Sequence, residues 1–194
     1  MPQKILPIIN VEKLYVAKLK TETDDNATYD VPKYLEGIKE IGIKPKQDSS
    51  PYFHEGKKVL EELSLSDVDV TINITDLTDE EEAYCLGHKL ANEGGVIRNS
   101  NDIPPELAFI IKANKAKGIN RYLVLYAGVL QEPDADMKSK EGKANFQSSK
   151  LSASFRPLKN GLWSYKVDSD SEGATDVIAK FFNQVVIPTP KEQK

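Results

Sequence analysis

The sequence predicts a mainly β fold, an antiparallel sandwich or barrel, and three observations point to it. Short apolar runs alternate with polar residues at a period of two, most regularly in SDVDVTINIT (66–75). The runs are separated by segments rich in Gly, Asn, Asp and Pro, the residues whose backbone preferences turn a chain. Only two stretches carry helical spacing, too few for a fold in which helices cover a parallel sheet.

The first element is VEKLYVAKLK (11–20), a strand with apolar groups on both faces and so a central one. ETDDNAT (22–28) supplies turn chemistry. YDVPKYLEGIKEIGIK (29–44) reads as one or two strands, with Pro32 marking an edge or a strand start. PKQDSSPYFHEGKK (45–58) has two prolines and no hydrophobic period, which predicts a long functional loop. Within it, the aromatic pair Tyr52 and Phe53 either faces a partner or folds back onto the domain.

SDVDVTINIT is the clearest strand, with Val68, Val70, Ile72 and Ile74 on the buried face and Asp67, Asp69, Thr71, Asn73 and Thr75 on the wet one. Further strands follow at ELAFIIKA (106–113), NRYLVLYAGVLQ (120–131), GKANFQSSKLSASFRP (142–157) and LWSYKVD (162–168). Gly94-Gly95 marks a hairpin or loop turn. The C-terminal helix is ATDVIAKFFNQV (174–185), whose Ala174, Val177, Ile178, Phe181, Phe182 and Val185 form one apolar stripe. The resulting organisation is an N-terminal arm (1–10), a single β domain (11–187) and a C-terminal tail (188–194).

TDEEEAYCLGHK (78–89) gathers acids, a thiol and an imidazole, and its spacing reads as a helix of about residues 79–86. Thr78 and Glu81 form a capping box, Asp79, Glu80 and Glu81 sit where the helix dipole favours anions, and Gly87 supplies a left-handed stop. His88 lies beyond that glycine, and neither zinc-finger nor H-E-x-x-H spacing is present, which speaks against a metal site. Cys85, mid-helix, reads as a small buried hydrophobe rather than a nucleophile. The acid pairs Asp67/Asp69 and Asp134/Asp136 read as solvated faces and turns, and no nucleophile-elbow, Walker A or dinucleotide motif occurs. The expectation is a protein without catalytic residues, metal or cofactor.

Composition narrows the partners. The net charge is −4 with mixed signs along the chain, unlike a protein that binds by neutralising phosphates. The single cysteine fits a reducing compartment, and there is no apolar run long enough to span a bilayer and no cleavable-signal layout.

Three stretches, TINITDLTDEEEAYCLGHK (71–89), PPELAFIIKANKAKGINRYLVLYAGVLQEPD (104–134) and KSKEGKANFQSSKLSASFRPLKNGLWSYKVDSD (138–170), resemble in order and spacing the major tail protein family of long-tailed phages and prophages of Gram-positive bacteria. The most specific parts are the acidic helix ending in LGHK, the PPELAF strand start, the RYLVLYAGV strand and the F-R-P-x-x-x-G-x-W turn. The resemblance implies a virion tail tube protein: a β-sandwich with a flanking helix, assembled in the host cytoplasm into stacked hexameric rings. DNA would pass through the tube without specific binding, past an acidic lumen that repels phosphates. Tape measure, tail terminator and distal tail proteins would be its partners.

On that reading the inter-ring contact falls to the 45–58 segment, with Lys46, Asp48, Pro51, Tyr52, Phe53, His54 and Glu55 as its self-assembly residues. The two termini are candidates for further arms. Three other readings stay open: a carbohydrate- or receptor-binding sandwich using exposed Tyr52, Phe53 and Trp163, a tube protein of a related injection or secretion machine, and a hydrolase using two carboxylates across a cleft. Trp163 reads more simply as a cap on the core beside the Lys159-Asn160-Gly161 turn.

Overall fold

The computed structural model describes residues 5–55, 57–133 and 148–191. Their strands are β1 (Ile8–Glu22), β2 (Ala27–Tyr29), β3 (Lys33–Leu35), β4 (Ile38–His54), β5 (Lys57–Ile74), β6 (Lys89–Leu90), β7 (Val96–Ile97), β8 (Glu106–Lys115), β9 (Asn120–Leu130), β10 (Ser149–Arg156) and β11 (Ser164–Asp168). The helices are α1 (Asp79–Leu86) and α2 (Ala174–Lys180). The fold is mainly β and antiparallel, as the alternation predicts. One large sheet runs β2-β1-β8-β9-β10-β5-β4, with β3 beside β1 and β11 beside β9, while β6 and β7 form a separate small hairpin.

Alternating side chains on β8 and β9 divide the interior in two. Leu107, Phe109, Ile111 and Leu125 enter one core, while Ile110, Tyr122, Val124 and Tyr126 enter the other. β9 spends one edge on two partners, with β11 along Arg121–Leu125 and β10 along Ala127–Leu130. The sheet therefore forks at β9. The β10-β5-β4 branch folds back over the first core, bringing Val68, Val70, Ile72, Ile74, Leu151, Ala153 and Phe155 against Leu14, Val16 and Phe109. Cys85 and Leu86 of α1 close that core. The second core is covered by α2 and the segment after it, through Ala174, Phe181, Phe182, Val185, Val186 and Ile187.

Local chemistry places the elements. The α1 capping box is present in both directions: the Glu81 N–H donates to Thr78 Oγ1 over 3.3 Å, and the Thr78 N–H donates to Glu81 Oε2 over 2.8 Å. Gly87 ends the helix with φ 79° and lies against the Ile103 carbonyl, where a side chain would collide. Trp163 is partly buried against the first core, in keeping with a cap beside its turn.

Three boundaries differ from the sequence expectation. β1 begins at Ile8, so residues 8–10 belong to the sheet rather than to an arm, and the Ala116 N–H donates to the Pro7 carbonyl over 3.1 Å just before it. α2 ends at Lys180 instead of 185, because Phe181, Asn183 and Gln184 continue as turns whose N–H groups still bond back to Ile178 and Lys180. The apolar stripe outlasts the helix and packs all the same. β10 begins at Ser149, and residues 134–147 lie outside the described part.

Gly128 faces Phe155 across the β9–β10 ladder, and a Cβ there would drive into the Phe155 ring, which sits edge-on to Phe109 at 4.7 Å between centroids. Backbone and buried rings leave no room to yield. Gly128→Ala is expected to cost about 1–3 kcal/mol of stability, as overpacked cores do. Denaturant unfolding of the two proteins measures it, and equal midpoints would show that the ring can move aside.

Candidate assembly site

The segment from Pro45 to Lys58 is not a loop. It is the distal part of a β-hairpin in which β4 and β5 stay paired from Ile38↔Ile74 out to His54↔Lys57. The correction has a physical reason. A strand that buries neither face shows no apolar alternation, so its sequence looks like a loop while its backbone is satisfied by the neighbouring strand. Pro45 and Pro51 are tolerated because β4 is an edge strand whose only hydrogen-bonded neighbour among the described residues is β5. The register also slips between Pro45 and Gln47, as at a bulge. From Lys44 to His54 the arm runs roughly 35 Å at about 3.3 Å per residue.

The predicted assembly residues map onto this arm. Lys46, Asp48 and Glu55 are exposed, and Glu55 takes φ 52° in the turn at the tip. Lys46 Nζ lies 2.9 Å from Asp69 Oδ2, a contact that raises the lysine above its ordinary range. Both partners are well exposed, so this pair orients the strands more than it stabilises them. Pro51, Tyr52, Phe53 and His54 pair through their backbones, and their side chains lie outside the described part. Every residue from Lys44 to Ser50 is exposed, as are Leu63 and Ser64 opposite. The sequence reading missed residues 59–64 as part of the same arm, and Leu63, 63% exposed, is their one described large apolar side chain.

Two clefts flank the sheet edges. One of 320 Å³ opens where β4 comes away from β1, lined by Ile8, Val11, Ile41, Ile43, Ile111 and Leu123 with Glu40 and Arg121 among its polar residues. The other, of 310 Å³, lies between β2 and residues 183–187 and contains Asp30. Each holds a single carboxylate among its lining residues, so neither offers the carboxylate pair that glycoside hydrolysis needs. Ile8 and Ile9 at the start of β1 are 53% and 68% exposed.

The remaining sequence candidates resolve separately. Cys85 is buried, and burial pushes its thiol up to about 12, far from a thiolate nucleophile. Asp69 is taken by Lys46, while Asp134 and Asp136 lie outside the described residues. No group of three His, Cys, Asp or Glu among the described residues is arranged to hold a metal ion. Among those residues, no helix is long and apolar enough to cross a membrane.

The strongest charge cluster is structural. The fully buried Asp168 carboxylate accepts from Lys115 Nζ at 2.7 Å and from Arg121 at 2.7 and 2.9 Å, tying the end of β11 to β8 and β9. These hydrogen bonds, the Arg121 pair first, hold its carboxyl far below the usual carboxylate range. No protein-family model matches the chain, and no curated protein matches it.

A depressed folded value means that Asp168 contributes its stability above the unfolded value of about 4 and loses it as pH falls through the folded value. Asp168→Asn leaves Lys115 buried without a counter-charge and is expected to cost about 3–5 kcal/mol at neutral pH. It should also shrink the loss of stability between pH 4 and pH 2. Unfolding curves across that range test both statements, and an unchanged acid limb would exclude Asp168 as its source.

Proposed function

We propose that the chain is a structural protein of a tail tube, assembling into stacked hexameric rings through which DNA passes, and that it has no catalytic role. The observation that carries this reading is the β4–β5 arm. Its two strands stay paired out to the tip, with register shifts at Pro45/Gln47 and Tyr52/Phe53, yet its described side chains from Lys44 to Ser50 are all exposed. A two-stranded ribbon is marginal in water by itself, and one that buries so little of its own chain gains stability by lying against another subunit. The open edges of β4 and β2 support the same reading, since strand pairing between subunits removes edges that would otherwise aggregate. Head-to-tail contacts around a closed rotation give a ring, and arms reaching along the axis give the stack.

Under this proposal the arm is the inter-ring joint, the net charge of −4 favours passage of DNA over binding, and the tape measure, terminator and distal tail proteins meet the ends of the tube. The same fold would serve a related injection machine, which neighbouring genes would distinguish.

The test removes the arm without disturbing the register. Gln47 lies opposite Leu65, so deleting Asp48–Ser64 and joining the ends with an Asn-Gly turn leaves a hairpin that can still close. Negative-stain electron microscopy over a concentration series is expected to show hollow tubes with sixfold end views for the full chain. The shortened chain should give rings or single subunits with unchanged thermal stability. Tubes of normal length from the shortened chain would place the joint elsewhere, and a monodisperse full chain at every concentration, alone and with tail tip proteins, would overturn the reading.

A further inference from the structure

Away from the arm lies a second cluster of charged groups. Residues 89–103 leave α1, form the β6–β7 hairpin and return to β8 at Glu106, and none of them is buried. Leu90, Ile97 and Ile103 are 52%, 51% and 83% exposed, so apolar burial does little to hold this flap down. Ionic contacts gather instead around His88, whose side chain is 2% exposed. Its Nδ1 lies 2.8 Å from Asp102 Oδ2 on the flap. Its Nε2 lies 2.8 Å from Glu132 Oε1, just past the end of β9, and 3.9 Å from Glu82 Oε1 on α1.

We propose that His88 is a proton-dependent clasp that fastens the 89–103 flap to α1 and the end of β9, closed when both ring nitrogens carry protons and released when one proton is lost. A neutral imidazole has one N–H and one lone pair. With the proton on Nδ1 and donated to Asp102, an uncharged Nε2 lies 2.8 Å from Glu132 Oε1 and 3.9 Å from Glu82 Oε1; with the proton on Nε2, the Nδ1 lone pair faces the Asp102 carboxylate 2.8 Å away. Either tautomer sets an unprotonated nitrogen beside a carboxylate. Only the imidazolium attracts on both sides. Nε2 makes no well-aligned hydrogen bond, so its pull on the two glutamates is that of charge.

The charges around the ring fit this assignment. Asp102 is held as a carboxylate, below its ordinary range, by its hydrogen bond to His88 and by the Asn99 N–H. From α1 comes Glu82, and from the end of β9 comes Glu132. The flap contributes Arg98, whose Nε is 2.7 Å from Glu82, and β6 contributes Lys89, whose charge acts on Asp102. Three carboxylates face two fixed cations, and the imidazolium neutralises the remaining negative charge. A buried, paired cation in place of a packed core is a device for opening a segment without unfolding the body.

Hydrogen exchange of the full chain between pH 5.5 and 8.5, corrected for the intrinsic pH dependence of exchange, tests the clasp. Protection of residues 89–103 is expected to fall about tenfold relative to the β8 amides as pH rises. His88→Gln should show low flap protection at every pH. Glu132 is exposed enough for substitution to leave the fold intact, so Glu132→Gln decides the matter if His88→Gln does not fold, and its step should be smaller than that of the natural chain. Flap protection that is flat with pH in the natural chain, or a full step that persists in Glu132→Gln, would overturn the proposal. Protection restored at pH 8.5 by zinc and removed by a chelator would overturn it in favour of metal coordination at Nε2.

Discussion

Everything in this fold depends on β8 and β9 being buried on both faces. Leu107, Phe109 and Leu125 look one way and Ile110, Val124 and Tyr126 the other, all within 1% of complete burial. A strand pair of that kind cannot end a sheet or face water, so further elements must cover both sides. The chain meets the demand on one side by folding β10, β5 and β4 back over the sheet, and on the other with a short helix and a tethered segment. The Tyr126 hydroxyl donates to the Val186 carbonyl over 2.8 Å, fixing that segment where the helix has already ended. Because β9 must serve both branches along one edge, the ladder passes from β11 to β10 within a few residues, and Gly128 lies where the Phe155 ring presses closest.

Satisfying the centre pushes the open edges outward. β4 and β2 end the ladder, and β4 extends past the core as one side of the arm. The ends of the sheet are then pinned by charge. Arg156 bridges Glu22 and Glu106 with contacts of 2.7 to 3.1 Å, joining β1, β8 and β10, while Asp168 gathers Lys115 and Arg121 at the far end of β9. These clusters hold strand ends whose apolar residues have run out.

Where burial drives structure, the sequence was readable. The period of two in residues 66–75 and the apolar stripe after Ala174 report one-sided contact with a core and pack as their patterns say, while the Thr78–Glu81 box reports the local hydrogen bonds that start a helix. The arm was not readable for the complementary reason: Gln47, Asp48 and Ser50 are exposed, so nothing in their order reports that their backbones pair with Leu65, Ser64 and Glu62. The end of α2 was misjudged because Phe181 and Phe182 keep helical spacing through a turn. The sequence placed His88 only just beyond the helix stop at Gly87, since its carboxylates arrive from Asp102 and Glu132, which only the tertiary fold brings near.

The two kinds of edge on β4 constrain how subunits of this shape can join. Glu40–Lys44 offers a backbone edge free of register shifts beside the apolar cleft, whereas Pro45 and Pro51 lack N–H donors further out. A neighbouring strand could extend the ladder along the first stretch, but beyond Lys44 the missing donors break any continuous ladder. Under the proposed assembly, contacts made by the arm would run mainly through its side chains and tip, with hydrogen-bonded addition favoured along the body. Such a strand would separate two joints: a directional ladder that sets the angle between neighbours, and an exposed ribbon that lies along another surface without polymerising as a sheet.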